Sequence, residues 1–416
     1  MKKQYSWPKN HWNWPVRINH KHAVRCGSMI WIGGQVDLNP QGQVQNPNNL
    51  ALQTENSIRN LSAVIDDLNC EFSDLVTLLC FYVNNGSIDE RDFLTSVADC
   101  LPLNCKTTVN AVPVPYLAYD GMMVEIEGFA MRRKNGEKIA RAYSSAGDLS
   151  LLPAPFVEGI RCDAMIFVSG QYPIDASTGA ICKGDIVHQT RTVADRIGKV
   201  LCDLGADFDD VVKINRWYAG ASGVADFEAA ALEFAGNFTE PGPAATGVPI
   251  PRHADEDVLI KISAIAMRGK DGSRLKKSHS WPESLWDWHV HLPYKHGLKC
   301  QDMIFLGGQV SLDRKGRAVH ADNLPAQTHQ AMQHIGTILN DLGADYDDVC
   351  KVMAVYQGDC VADDLHENLP IRSSYFSDPG PATTGVPLPA LAYESMVIEI
   401  DIFAMLDSSA ACSESS

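Results

Sequence analysis

The chain has 416 residues, more than one hydrophobic core holds and enough for two to four domains. With 45% hydrophobic and 21% charged residues it has the composition of an ordinary globular protein, and no apolar run approaches the length of a membrane span. A formal net charge of −16 disfavours a nucleic-acid partner, which needs a basic face.

Taken in order, the chain opens with Met1-Lys2-Lys3 and no apolar stretch behind them, so no secretion signal is expected. The twelve cysteines are scattered without a Cys-x-x-Cys pair and read as reduced thiols, which points to a cytoplasmic protein. A β-rich run ends at Gly33-Gly34. A helix follows, with Ile58, Leu61, Val64, Ile65 and Leu68 at helical spacing, as on a helix lying across a sheet. Residues 75–83 are mostly apolar and read as a strand buried on both faces. A second helix is expected over 89–101, and a last strand over 123–131. In that strand alternation places Glu125 and Glu127 on one face. The order is strand, strand, helix, strand, helix, strand, strand, an α+β unit.

This unit occurs three times. Met29-Ile-Trp-Ile-Gly-Gly-Gln35 returns as Met165-Ile-Phe-Val-Ser-Gly-Gln171 and Met303-Ile-Phe-Leu-Gly-Gly-Gln309, 136 and 274 residues further on. The same offsets relate Gln53-Thr54 to Gln189-Thr190 and Gln327-Thr328, and Tyr82 to Tyr218 and Tyr356. Each unit is too long for a solenoid repeat and suits a domain. The second helix recurs over 224–238 and 363–376. Basic stretches with Asn135-Gly136 and Asp271-Gly272 turns separate the copies. The expected domains are 1–134, 139–270 and 278–408, with a Ser/Ala-rich tail from Asp407 that frays.

The Ser-Gly-Gln or Gly-Gly-Gln strand end, the Gln-Thr helix start, Leu204-Gly-Ala-Asp-Phe-Asp-Asp-Val-Val212, the Pro-Ala-x-Thr runs after Gly242 and Gly380, and the closing Val124-Glu-Ile-Glu127 resemble the Rid (YjgF-type reactive intermediate deaminase) family. The resemblance implies a chorismate-mutase-like fold, each domain a mixed sheet with two helices on one face. It also implies a single-chain pseudo-trimer with a ligand cleft at each seam between repeats. Such proteins hydrolyse enamines and imines to ketones and ammonia, and no cofactor is expected for this chain.

Carried over residue by residue, the family's cleft carboxylate falls on Glu125 and Glu399, but on Lys261 in repeat 2. Its cleft tyrosine falls on Tyr294, on His20 in repeat 1 and on Phe156 in repeat 2. The arginine that clamps a substrate carboxylate falls on Val109, Ala245 and Thr383. Lys106 lies three residues from the first of these. No repeat keeps that arginine, and a neutral side chain does not replace a bidentate clamp. Repeat 2 thus reads as a degenerate, scaffold copy. The glycine pairs Gly33-Gly34 and Gly307-Gly308 are expected to lie against the substrate.

Repeats 1 and 3 share a further motif. Ser6-Trp7-Pro8, Trp12, Trp14 and Lys21-His22 recur as Ser280-Trp281-Pro282, Trp286, Trp288 and Lys295-His296. One reading is a flap over the cleft: Trp14 and Trp288 line it, Lys21 and Lys295 replace the lost arginine, and His22 and His296 shuttle protons. The other reading is a structural staple. Cys26, Cys162 and Cys300 share one position and read as small buried hydrophobes rather than nucleophiles. His289, His291 and His296 have spacing that zinc would tolerate, but repeat 1 lacks the first two, so no metal is expected. Tyr82, Tyr218 and Tyr356 read as packing.

The expected activity is hydrolysis of a C–N bond in an enamine, imine or cyclic amide-like small molecule. Glu125 and Glu399 would direct the water. The alternative is a small-ligand-binding protein that has lost the chemistry. The sequence leaves open whether the pseudo-trimer associates further.

Overall fold

The structure is a computed structural model that describes residues 2–144, 150–220 and 224–406; the tail from residue 407 and the end of the third expected domain lie outside them. Repeat 1 comprises β1 (Gln4–Ser6), β2 (Ala23–Cys26), β3 (Met29–Gln35), α1 (Leu50–Asp66), β4 (Leu75–Val83), α2 (Glu90–Asp99), β5 (Thr108–Val114) and β6 (Val124–Met131). Repeat 2 follows with β7 (Arg141–Ser144), β8 (Gly159–Cys162), β9 (Met165–Gln171), α3 (Ile186–Asp203), β10 (Val211–Ala219), α4 (Val224–Ala235), β11 (Ala244–Ile250) and β12 (Ile260–Met267). Repeat 3 has β13 (Lys277–Ser280), β14 (Gly297–Cys300), β15 (Met303–Leu306), α5 (Leu324–Asp341), β16 (Val349–Gln357), α6 (Ala362–Ser373), β17 (Ala382–Leu388) and β18 (Ile398–Met405).

Each repeat forms a six-stranded sheet in the order β1-β2-β3-β6-β4-β5 or its equivalent. Only the pairing of β4 with β5, and its counterparts, is parallel among the described pairs, since α2 supplies the crossover. Three strands precede the first helix, where two were expected. β1 has three residues, too few to show alternation, and is held by its register on β2. The helices start where a side chain caps them: Asn49 accepts from Leu52 N, Asp185 from His188 N and Asn323 from Ala326 N. Ile58, Leu61, Val64 and Ile65 are buried between α1 and the sheet. Each such side chain contributes about 1.5–3 kcal/mol.

The three sheets close into a ring. Repeat 1 meets repeat 3 through a parallel bridge from Lys21 to Ala382, repeat 3 meets repeat 2 from Lys295 to Ala244, and repeat 2 meets repeat 1 from Phe156 to Thr107. Trp31, Val76, Phe129, Phe167, Val212, Phe305 and Phe403 from all three repeats share one apolar cluster. Phe129 packs edge-on against Phe403 at 5.0 Å. The chain is therefore a single-chain pseudo-trimer with three seams.

Candidate active site

The Gly-Gly-Gln motif builds the seams by bulging. β3 pairs with β6 as far as Ile32 opposite Gly128 and resumes at Gln35 opposite Ile126. The bulge carries Gly33 and Gly34 across the seam between repeats 1 and 3, where Gly34 N donates to Thr384 Oγ1 at 2.9 Å. A Cβ at Gly33 would meet the Thr383 carbonyl oxygen at 2.6 Å, and one at Gly34 would meet Glu125 Oε1 at 1.7 Å. Gly307 and Gly308 repeat this against Ala245 O at 2.5 Å and Glu399 Oε1 at 1.8 Å. Close approach, not a turn, is what requires glycine here.

Around the bulge, repeat 1 contributes Trp12, Trp14, Tyr119, Met122 and Glu125 to a pocket, and repeat 3 contributes Leu365, Leu369, Arg372 and Thr383. Arg372 is the feature the sequence reading missed. It lies on α6 on the stripe of Leu365, Asn368 and Leu369, and it is fully buried. Its Nε donates to Asn368 Oδ1 at 3.0 Å and its Nη1 to Thr383 Oγ1 at 3.2 Å, while Nη2 has no partner. Burial lowers it to about 10, so it stays cationic at neutral pH. Glu125, buried across the seam, is raised to about 8 by burial and next by Glu127, against the pull of Lys351 and Arg372. At pH 7 it is mostly a neutral acid. Glu127, its neighbour on the same face, pairs instead with Lys351 at 2.7 Å, and Lys351 Nζ also donates to Thr384 Oγ1 at 2.6 Å.

The seam between repeats 3 and 2 has the same logic with one part moved. Glu399 is raised to about 8 by burial and next by Asp401, and lowered by Lys213 and Arg216. Lys213 pairs with Asp401 at 2.8 Å and donates to Thr246 Oγ1 at 2.6 Å. Counting by the repeat offset, the counterpart of Arg372 here is Phe234, and the counterpart of Arg216 in repeat 3 is Ala354. The guanidinium has moved from helix to strand. Arg216 on β10 is buried, and its Nε and Nη2 have no partner. Both guanidinia nevertheless reach equivalent glycines: a Cβ at Gly247 would meet Arg216 Nη2 at 2.9 Å, and one at Gly385 would meet Arg372 Nη2 at 3.2 Å. The expectation of clefts without a guanidinium is thus corrected for two seams. Register comparison looks only at equivalent positions, and both arginines come from inequivalent ones.

At the third seam, between repeats 2 and 1, the polarity is reversed. Lys261 stands where Glu125 and Glu399 stand, and its Nζ donates to Glu90 Oε1 at 2.6 Å and to the Ala111 carbonyl. Ala111 is the counterpart of Gly247 and Gly385. Tyr82 OH at 3.2 Å and Tyr172 OH also donate to Glu90. The arginine positions carry Ala98 and Cys80.

The motif shared by repeats 1 and 3 is a pile of rings. Lys21 Nζ lies 5.2 Å over Trp7, Trp7 packs on His22 at 4.6 Å, and His22 stacks on Trp14 at 5.1 Å. In repeat 3, Lys295 lies 5.3 Å over Trp281, which stacks on His296 at 4.0 Å. Gln35 and Gln309, the last residues of the strand motif, accept from Trp12 Nε1 at 3.2 Å and Trp286 Nε1 at 3.1 Å. Trp12 and Trp14 thereby roof the first pocket, leaving a cavity of about 30 Å³. That volume is enough to hold water. His22 Nε2 faces Trp12 O and His296 Nε2 faces Trp286 O, each at 3.1 Å. Burial holds His296 down to about 3 and His22 well below its usual range. Both rings are buried in the pile, and His22 is not among the residues lining the Glu125 pocket. Lys21 pairs with Asp378 at 2.8 Å and Lys295 with Glu240 at 2.7 Å, each across a seam. Their charge is engaged there, and the positive charge acting on Glu125 and Glu399 comes from Lys351 with Arg372 and from Lys213 with Arg216.

His20 and Tyr294 flank those arginines. His20 Nδ1 faces Pro381 O at 3.0 Å, and burial, then Arg372, lowers it to about 3. Tyr294 lies under Arg216, whose guanidinium carbon is 5.4 Å from the ring centroid. Trp288 packs 6.1 Å from Phe227. Lys106 is exposed and stacks 5.0 Å over Tyr143. His289 and His291 face Glu228 and Glu240, each at 3.2 Å, while His296 is in the pile, so the three do not converge. Cys162 and Cys300 are buried and pushed up to about 11, whereas a hydrogen bond with Cys350 lowers Cys26 to about 7.

The model of the endoribonuclease L-PSP family matches the chain three times, over residues 15–132, 151–268 and 288–406. The chain is a tandem Rid-type member of this family. A RutC family protein of Pyrococcus abyssi is 38% identical over 114 residues, 27% of this chain and 87% of that protein. The 2-iminobutanoate/2-iminopropanoate deaminase of Salmonella typhimurium is 31% identical over 117 residues, 27% of this chain and 88% of that enzyme. A chorismatase crystal structure covers 80% of this chain and 93% of its own at a TM-score of 0.50 and 13% identity, which shows a shared fold alone. Among the described residues of this Rid-type chain, no helix is long and apolar enough to cross a membrane.

Proposed function

We propose that the two seams holding Glu125 with Arg372 and Glu399 with Arg216 hydrolyse small imines or enamines that carry a carboxylate. The carrying observation is a buried guanidinium with an unpartnered Nη2 beside a carboxyl raised to about 8. A buried, uncompensated cation is costly, and a substrate carboxylate would offset that cost. The neutral Glu donates its proton to the C=N nitrogen, and water adds to the carbon. The resulting carboxylate recovers a proton from that water to give the carbinolamine; it then passes this proton to the amino nitrogen and takes the hydroxyl proton as ammonia leaves, so imine and water become ketone and ammonia. Relatives named as deaminases support this reading.

The absence of an arginine at Val109, Ala245 and Thr383 favours a second reading, ligand binding without turnover. Ammonia release from a panel of imines, enamines and cyclic ureides separates the two. Turnover that is lost in Glu125→Gln with Glu399→Gln supports hydrolysis. Binding without ammonia supports the second reading.

A further inference from the structure

We infer that the two arginine-bearing seams select different carboxylates: a flat aromatic or conjugated one between repeats 3 and 2, a short aliphatic one between repeats 1 and 3. This rests on the reading of both seams as carboxylate clefts. One wall is the same at both: Trp14, Tyr119, Met122 and Glu125 have Trp288, Tyr393, Met396 and Glu399 as counterparts. Any difference in selectivity therefore comes from the opposite wall.

That wall differs in a consistent direction. Leu365 becomes Phe227, Leu369 becomes Ala231 and Thr383 becomes Ala245. Arg372 is fixed by hydrogen bonds to Asn368 and Thr383, beside the aliphatic Leu365 and Leu369. Arg216 has rings around it instead: its guanidinium carbon lies 5.3 Å from the Phe227 centroid and 5.4 Å from that of Tyr294. Phe227 in turn meets Tyr393 edge-on at 5.8 Å and Trp288 at 6.1 Å. A cation held by ring faces among further aromatic edges suits a planar side chain, which adds one more ring pair. Next to Arg372, leucines in those places give dispersion contact and no such ring geometry.

Titration calorimetry on the full chain with phenylpyruvate and 2-oxobutyrate tests this. Arg216→Met is expected to weaken phenylpyruvate about tenfold more than 2-oxobutyrate, and Arg372→Met to do the reverse. Phe227→Leu with Ala231→Leu keeps Arg216 and should still shift preference toward 2-oxobutyrate, so the inference survives an arginine variant that fails to fold. Equal losses of both probes in every variant would overturn the selectivity while leaving the clefts standing. If neither probe binds, or neither arginine variant changes binding of either, the carboxylate reading itself falls and the inference with it.

Discussion

Each seam of the ring buries one lysine–carboxylate pair, but the pairs stand in different places. Lys351–Glu127 at 2.7 Å and Lys213–Asp401 at 2.8 Å use the carboxylate two residues beyond Glu125 and Glu399. Those two glutamates are thereby left without a lysine partner. Lys261–Glu90 at 2.6 Å uses the cleft position itself. Substituting one charge on the last strand, with Glu90 opposite, fills the third seam with its own ligand. Two seams then carry an arginine without a full set of partners, and the third carries an internal strut. The comparison teaches that a buried charge serves binding only when the fold declines to pair it.

The largest expected effect breaks the strut. Lys261→Met leaves Glu90 buried without its cation and is expected to cost about 3–5 kcal/mol of unfolding free energy. Adding Glu90→Gln should recover most of that, as denaturant titration of the single and double variants will show. Next, Glu125→Gln with Glu399→Gln is expected to reduce ammonia release by about 100-fold, within the range for a lost general acid. Equal activity in the double variant would contradict the assignment of the two open seams.

The pH profile sharpens the same contrast. With the acid required in its protonated form, kcat/KM should be level below about pH 8 and fall above it, following Glu125 and Glu399. The stability effect has a defined sign. A carboxyl raised on folding lends stability that is complete below its ordinary range and is lost as pH rises through about 8. Unfolding free energy should therefore decline from about pH 5 to pH 8 more steeply in the wild type than in the double Gln variant. The smallest effect is on the arginines. Arg372→Met removes an incompletely paired buried charge and should leave stability within about 1 kcal/mol, or raise it, as measured by thermal melts.

Much of this was legible in the sequence, for physical reasons. Residues 75–83 form β4 within the expected bounds because a strand covered on both faces shows an unbroken apolar run. Alternation placed Glu125 and Glu127 on one face, yet it gave no hint that Lys351 from another repeat would claim Glu127. β1 was hidden by its length. Arg372 and Arg216 were hidden because they occupy inequivalent positions, with Ala98 and Phe234, and Cys80 and Ala354, as their counterparts. Each had a local signal: an arginine seven residues after Leu365 on an apolar helical stripe, and an arginine inside the buried strand β10. Charges at such places need a partner or a ligand.

The central claim is that Arg372 and Glu125 face one ligand between repeats 1 and 3. A crystal structure of the full chain soaked with 2-oxobutyrate tests it most directly. The carboxylate is expected within hydrogen-bond distance of Arg372 Nη2, the keto oxygen beside Glu125, and Trp12 and Trp14 displaced. A ligand seated against Lys261 and Glu90 with that first seam empty would contradict it.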